Sequence, residues 1–259
     1  MSTMYAKAYR SGLPSAEYLS RKQKGAEERF AWITRVLGVR GTRQRVLDVG
    51  CSEGSLLAIF QRHGWEAYGV EPTPSFAQWG REHHGLSIHV GSFDQTCYLD
   101  SQFDLVVVSY VLEHVHDADG FMRLVRDRMA SSGAVFVEVP DLTRPEGDIA
   151  GHLYGAPHLY GFSPSTLKRF LGRAGFRVVE IEHGPAGIRA LVEQGAVEKA
   201  EEVQSDLPGA YCSLRRRLLW HRACFFLSRG WKDALKCHLI DALGPERTEA
   251  LLARWRARR

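Results

Sequence analysis

The chain has 259 residues, of which 44% are hydrophobic and 25% are charged. This composition excludes extensive disorder and allows one large α/β domain, alone or with a small appendage. No apolar run approaches the roughly 18 residues of a membrane span, and residues 1–10 are too polar for a secretory signal, so we expect a cytoplasmic protein.

The charge distribution and the cysteines further limit the kinds of protein that this chain can be. The net charge of +4 is uneven, because segment 211–259 carries +8 and the rest of the chain carries −4. The five cysteines are scattered, with no C-x-x-C pair among them. This pattern predicts reduced thiols, with neither a disulfide framework nor a thiolate zinc site.

Short aliphatic runs alternate with helical patterns along the first two thirds of the chain. This alternation predicts a doubly wound α/β fold with a mostly parallel, Rossmann-like sheet. A long N-terminal helix is expected at 15–37. Further helices are expected at 55–62, at 119–129 and from Pro164 to a stop at Gly175. The strands are expected at 45–49, 67–71, 87–90, 104–109, 134–139 and 177–182.

The pattern after residue 210 is purely helical, with candidates at 213–227, 231–243 and 245–258. We therefore divide the chain into an N-terminal helical segment (1–37), a ligand-binding domain (38–210) and a basic helical appendage (211–259). The appendage has three candidate uses: a lid, a homodimer contact, or a peripheral surface for anionic lipid at the inner membrane face. Nucleic-acid binding is not expected, because no recognised reading module accompanies the charge.

The loop from Asp48 to Gly54 carries the clearest functional signal. It has small residues between the first strand and a helix, where exposed backbone N–H groups can approach a ligand closely. Glu71 ends the second strand about twenty residues later, where a carboxylate can accept hydrogen bonds from both hydroxyls of a ribose. This spacing predicts a nucleoside site.

Two other enzyme classes share part of this pattern. The loop matches the G-x-S-x-G elbow of α/β hydrolases, with Ser52 as the nucleophile, but a hydrolase needs strands before its elbow. Dinucleotide oxidoreductases place glycine at the sixth position of their fingerprint, where this chain has Ser55. Both interpretations rank below a nucleoside site, and the Ser52 hydrolase remains a minor alternative.

Several motifs, in order, resemble those of class I S-adenosylmethionine-dependent methyltransferases. They are the 48–54 loop, Gly91-Ser92-Phe93-Asp94 after the third strand, the stretch 103–115 with Glu113-His114, the turn and strand at 131–140, and the stretch 158–176. Together they are similar to the ubiquinone-biosynthesis-like branch of small-molecule and sugar methyltransferases. Ser52 departs from the glycine that is common at its position. The resemblance spans about 37–182.

The resemblance implies that S-adenosylmethionine is the cofactor and that the reaction is methyl transfer, preferentially to a hydroxyl, with nitrogen or carbon left open. The implied acceptor is a small molecule, a sugar or glycan, or a natural product. A cofactor-binding scaffold without catalysis is the alternative. The cofactor-binding residues would be Asp48, Gly50, Cys51, Ser52, Gly54, Glu71, Pro72, Phe93, Asp94 and Tyr110.

Two histidines are candidates for the general base. His114 and His158 have a side chain whose ordinary pKa near 6.5 suits proton transfer at neutral pH, although each could instead shape its loop. Glu113, His114, His116 and Asp117 hold enough donor atoms for a divalent metal, but neighbours in sequence seldom converge on one ion, so we predict no metal. The N-terminal Tyr5 and Tyr9 could fold over the cofactor.

Overall fold

We describe a computed structural model of the chain, over residues 13–38, 43–99, 101–144, 158–185 and 187–196. The chain forms two compact units, Met1–Leu142 with Pro157–Val203, and Thr143–Ala156 with Gln204–Arg259. The second unit lies almost wholly outside the described residues. The predicted C-terminal helices, Tyr5 and Tyr9 also lie outside them, so the three-part division of the chain stays a prediction.

Seven strands form a single mixed sheet in the order β3-β2-β1-β4-β5-β7-β6. The strands are β1 (Arg45–Val49), β2 (Glu66–Glu71), β3 (Ser87–Val90), β4 (Phe103–Ser109), β5 (Met129–Val139), β6 (Phe176–His183) and β7 (Ile188–Gln194). The first five pair in parallel, and β7 lies antiparallel between β5 and β6. The carboxyl ends of β1 to β6 therefore share one edge of the sheet.

Five helices accompany the sheet in the described part of the chain. They are α1 (Ala16–Leu37), α2 (Ser55–Arg62), α3 (Pro74–His84), α4 (Ala118–Asp127) and α5 (Pro164–Arg173), and a 3₁₀ turn occupies Leu112–His114. Ser15 caps α1 through the backbone N–H of Tyr18, and Ser163 closes a capping box with Thr166. These caps satisfy first-turn amides and so fix where the helices begin.

The core lies on both faces of the sheet, as the near-continuous apolar run of β4 requires. Alternate residues of that strand point into separate clusters, with Val106 and Val108 on one side and Leu105 and Val107 on the other. Helix α1 contributes Trp32 and Ile33 to the second cluster. The predicted doubly wound, mostly parallel fold with an N-terminal helix is confirmed.

Three elements depart from the prediction. Helix α3 and strand β7 were not predicted at all, and β5 begins at Met129, which was placed in the preceding helix. Met129 pairs with Phe103 ahead of an irregularity in the β4 and β5 register, so the strand starts before its apolar run. No helix among the described residues has the length and apolar character needed to cross a bilayer.

Candidate functional site

The loop after β1 forms a tight turn at the carboxyl edge of the sheet. Gly50 and Gly54 have φ of 80° and 82°, and Ser52 between them has φ of 55°. A Cβ atom at Gly50 would come within 2.6 Å of Val111, and one at Gly54 within 2.3 Å of Leu86. Both positions therefore need glycine for conformation and for space.

Glu71 lies against this loop, as the sequence spacing suggested. One carboxylate oxygen accepts a hydrogen bond from the backbone N–H of Ser52 at 2.9 Å, and the other accepts from that of Thr73 at 2.8 Å. Each carboxylate oxygen has a second lone pair and can accept a further hydrogen bond. The arrangement is therefore suited to receive two hydroxyl groups.

Three acidic side chains are buried around the loop: Asp48, Glu53 and Glu71. Burial raises the pKa of Asp48 to about 7, against the opposing effect of Arg29 and Lys22. One oxygen of Glu53 accepts from the hydroxyl of Ser55 at 2.6 Å, and the other is buried without a hydrogen-bond partner. The site is thus electronegative, which suits a ligand with positive charge.

The thiol of Cys51 is buried beneath the loop. Its pKa is raised well above the ordinary value, chiefly by burial. A protonated thiol in this position is a packing group and not a nucleophile.

Helix α1 supplies a set of side chains that the sequence interpretation missed. The hydroxyl groups of Tyr18 and Ser52 lie 2.8 Å apart, which connects the helix directly to the loop. Lys22 and Arg29 act electrostatically on Asp48. The spacing of Tyr18, Lys22 and Arg29 places them on one face of the helix. An ordinary solvated face has the same spacing, so the sequence alone does not mark these residues as functional.

Arg29 also fixes the carboxyl ends of β4 and β5. Its guanidinium donates to the buried carboxylate of Glu138, which accepts a second bond from the Ser109 hydroxyl at 2.8 Å. The guanidinium carbon lies 5.7 Å from the ring centre of Tyr110. Tyr110 has φ of 56°, and its N–H donates to the carbonyl of Glu138 at 2.8 Å. Neither Arg29 nor Glu138 was predicted.

The remaining predicted cofactor residues lie farther along the same edge. Asp94 is exposed, and its carboxylate accepts from the backbone and hydroxyl of Thr96, which lowers its pKa. Phe93 contacts the edge of Phe121 and is partly buried. Pro72 follows β2 directly and is also partly buried. The cofactor roles of these residues stay predictions.

The two predicted general bases lie together. The ring centres of His114 and His158 are 4.7 Å apart. The carboxylate of Glu113 lies 3.7 Å from Nε2 of His114, is buried, and has no hydrogen-bond partner at either oxygen. Burial raises the pKa of Glu113 to about 8, so this carboxyl group is mostly protonated at neutral pH.

Backbone bonds hold His158 in this position. The N–H of Leu159 donates to the carbonyl of Glu113 at 2.7 Å. Donor atoms of Glu113, His114 and His158 lie within 4.8 Å of one another and could hold a divalent cation. This set differs from the sequence candidates, because His116 is exposed and Asp117 instead caps α4 through Gly120.

Comparison with known proteins assigns the chain to a family. Residues 19–181 match the family model described as a methyltransferase domain. A ubiquinone biosynthesis O-methyltransferase of Azorhizobium caulinodans is 27% identical over 53% of this chain and 60% of its own length. One of Methylocella silvestris is 30% identical over 46% of this chain and 48% of its own length. The chain thus spans about half the length of these curated relatives.

A solved structure supports the fold independently. Magnesium protoporphyrin IX methyltransferase of Synechocystis PCC 6803 with bound SAH aligns with a TM-score of 0.52 and 16% identity, covering 73% of this chain and 93% of that one. Membership of this family argues against the hydrolase alternative, in which Ser52 would be a nucleophile. The chain belongs to the methyltransferase-domain family.

Proposed function

We propose that this enzyme transfers the methyl group of S-adenosylmethionine to a hydroxyl of a small-molecule acceptor. The observation that carries the proposal is the paired imidazole centre of His114 and His158 at the edge that also holds the 48–54 loop. Methylation of a hydroxyl releases a proton, and an imidazole at this edge can accept it. The curated relatives are ubiquinone biosynthesis O-methyltransferases, which supports oxygen as the atom methylated.

The residues around the loop fit the cofactor. We assign the ribose hydroxyls to Glu71, whose carboxylate is oriented by the two backbone donors. The positive-φ backbone of Gly50 and Gly54 lets the chain approach the ligand, and Phe93 and Asp94 are the candidates for the adenine. The electronegative surroundings of Asp48 suit a sulfonium. The bound cofactor would supply an activated methyl group.

The protein's own work is alignment and proton removal. Direct displacement at a methyl carbon requires the acceptor oxygen in line with the leaving sulfur, so holding the two reactants in place accounts for much of the rate. His158 is only partly buried, whereas His114 is buried. We therefore assign proton acceptance to His158, whose imidazole becomes the imidazolium, and His114 packs beside it to position that ring.

The test is a screen of acceptors with a labelled methyl donor, covering phenols, sugars and hydroxylated natural products. Transfer to oxygen in at least one class is expected, and His158→Ala should lower the turnover rate with cofactor binding retained. Binding is measured first, by calorimetry with S-adenosylmethionine and with its demethylated product. Heat of binding with no transfer to any class would instead favour a scaffold without catalysis.

The finer identity of the acceptor follows from the branch resemblance alone. We propose a sugar or glycan, or a polyketide-like natural product, as the class to test first. A lipid-linked acceptor would give the basic segment 211–259 a purpose as a peripheral membrane contact. Flotation of the full-length protein with anionic liposomes tests this, and a protein that stays in the soluble fraction would remove the support. A homodimer contact is tested by sedimentation of the same sample.

A further inference from the structure

A third histidine stands at the same edge of the sheet, outside the residues used above. His183 is the last residue of β6, and Asp141 follows the end of β5. Nδ1 of His183 lies 2.7 Å from a carboxylate oxygen of Asp141. The side chain of Asp141 is 3% exposed and that of His183 is 35% exposed. The pair therefore joins a buried carboxylate to an accessible imidazole.

This arrangement fixes the chemistry of the ring. In the neutral imidazole, donation of Nδ1–H to a carboxylate leaves Nε2 as a hydrogen-bond acceptor. Such a nitrogen accepts a hydrogen bond from a hydroxyl or an N–H group. Because the ring is accessible, Nε2 can meet that partner in a ligand.

The backbone around the pair is well braced. Asp141 forms a parallel bridge with Phe162, and the N–H of Leu142 donates to the carbonyl of Phe162 at 2.8 Å. The turn after His183 packs closely on the cofactor side, since a Cβ at Gly187 would lie 3.2 Å from the hydroxyl of Tyr110. The turn that follows His183 thus lies next to Tyr110, a predicted cofactor residue.

Segment 158–162 connects this pair to the imidazole centre described above. His158 at one end lies beside His114, and Phe162 at the other end pairs with Asp141. Even fully extended, this segment spans at most about 14 Å. Leu159 and Tyr160 between the two ends are 49% and 38% exposed. These two exposed side chains lie between His158 and the partner of Asp141, where they can contact the apolar part of a bound molecule.

We propose that His183, oriented by Asp141, binds a second hydroxyl of the acceptor, separate from the hydroxyl that is methylated. The inference rests on the proposed function and specifies its substrate class: an apolar, aromatic-sized body that carries hydroxyl groups at two separated positions. His183 is a specificity-determining residue in this scheme. No bond is made or broken at its ring.

The first test uses two matched probes, para-hydroxybiphenyl and its para,para′-dihydroxy analogue, titrated into the full chain loaded with S-adenosylhomocysteine. The dihydroxy probe should bind about 3- to 10-fold more tightly, which is the worth of one added hydrogen bond. It should also shift the Nε2 resonance of His183, assigned with His183→Gln. A merely structural pair would produce neither effect.

The variants His183→Gln and Asp141→Asn should remove the preference for the dihydroxy probe. His83→Gln, at an exposed histidine that stacks on Trp79 of α3, is the control and should keep it. In turnover, His183→Gln should raise KM for a dihydroxy acceptor with little change in kcat, whereas His158→Ala should lower kcat.

Equal affinity for the two probes, absence of binding by both, or a preference that survives His183→Gln would each overturn the inference while leaving the proposed function intact. Failure of the full chain to bind S-adenosylhomocysteine would overturn the proposed function itself. Thermal melting of each variant separates lost folding from lost recognition. If His183→Gln melts early, Asp141→Asn and the resonance shift in the unmodified protein decide the question.

Discussion

Replacing Glu113 with glutamine should make the protein more stable at high pH. The carboxyl group of Glu113 is 1% exposed, and burial raises its pKa from 4.5 to about 8. Because the folded state binds this proton more tightly than the unfolded state does, stability is lost as pH rises between these values. The full difference corresponds to about 5 kcal/mol above pH 8. Glutamine carries no charge and should not incur that loss.

The assay is denaturant unfolding of both proteins between pH 5 and 9. Other buried acids also titrate, including Asp48 with a pKa raised to about 7, so the informative quantity is the difference between the two proteins at each pH. We expect that difference to grow by a few kcal/mol in favour of Glu113→Gln from pH 5 to pH 9. Glu28→Gln, at an exposed glutamate of α1, is the control and should show no such trend.

A constant difference across the pH range would refute the reasoning, because it would mean that the Glu113 carboxyl group ionises in the folded protein as readily as in water. An increase in wild-type stability toward pH 9 would contradict it more strongly. Either result would also make Glu113 a candidate base, since an ionised carboxylate 3.7 Å from His114 could accept or relay a proton.

Three further expectations follow from the site. Gly54→Ala should destabilise the protein by about 1–2 kcal/mol because of the positive φ at this position. It should also weaken cofactor binding at least tenfold in calorimetry. Unchanged binding would show that the loop backbone does not approach the ligand. Arg29→Met should cost about 3 kcal/mol in denaturant unfolding by leaving Glu138 buried without its cation, whereas a cost below 1 kcal/mol would show that Glu138 finds another partner. Turnover should survive dialysis against EDTA, in line with the prediction of no metal. Activity that is lost to EDTA and restored by Mn²⁺ would instead place a cation among Glu113, His114 and His158.

Local sequence signals were sufficient for most of the fold. Strands β1 and β3 and helix α2 have the bounds that their apolar runs and flanking glycines predicted. Helix α3 was missed because only Phe76, Ala77 and Gly80 of its residues are buried, which leaves a weak apolar stripe. Strand β7 was missed because Ile188-Arg-Ala-Leu-Val-Glu-Gln is equally compatible with a helix, and antiparallel pairing with β5 and β6 decides its conformation.

The site, too, could be inferred only where its residues lie close together in the sequence. The 48–54 loop and Glu71 are recognisable because their proposed function depends on spacing within one βαβ unit. The bonds that brace them join distant parts of the chain: Tyr18 is 34 residues from Ser52, and Arg29 is 109 residues from Glu138. No local pattern encodes such a pairing. Each partner alone resembles a surface residue, and only the folded sheet brings them to one edge.

Helix α1 both packs against the sheet and positions polar side chains at the site. Its apolar face enters the core through Trp32 and Ile33, which fixes the helix against the sheet. Its polar face then places a hydroxyl at Ser52 and a guanidinium at Glu138. Burial of the first face supplies the free energy that holds the second face in position. A substitution in the core of α1 should therefore weaken cofactor binding without contacting the cofactor.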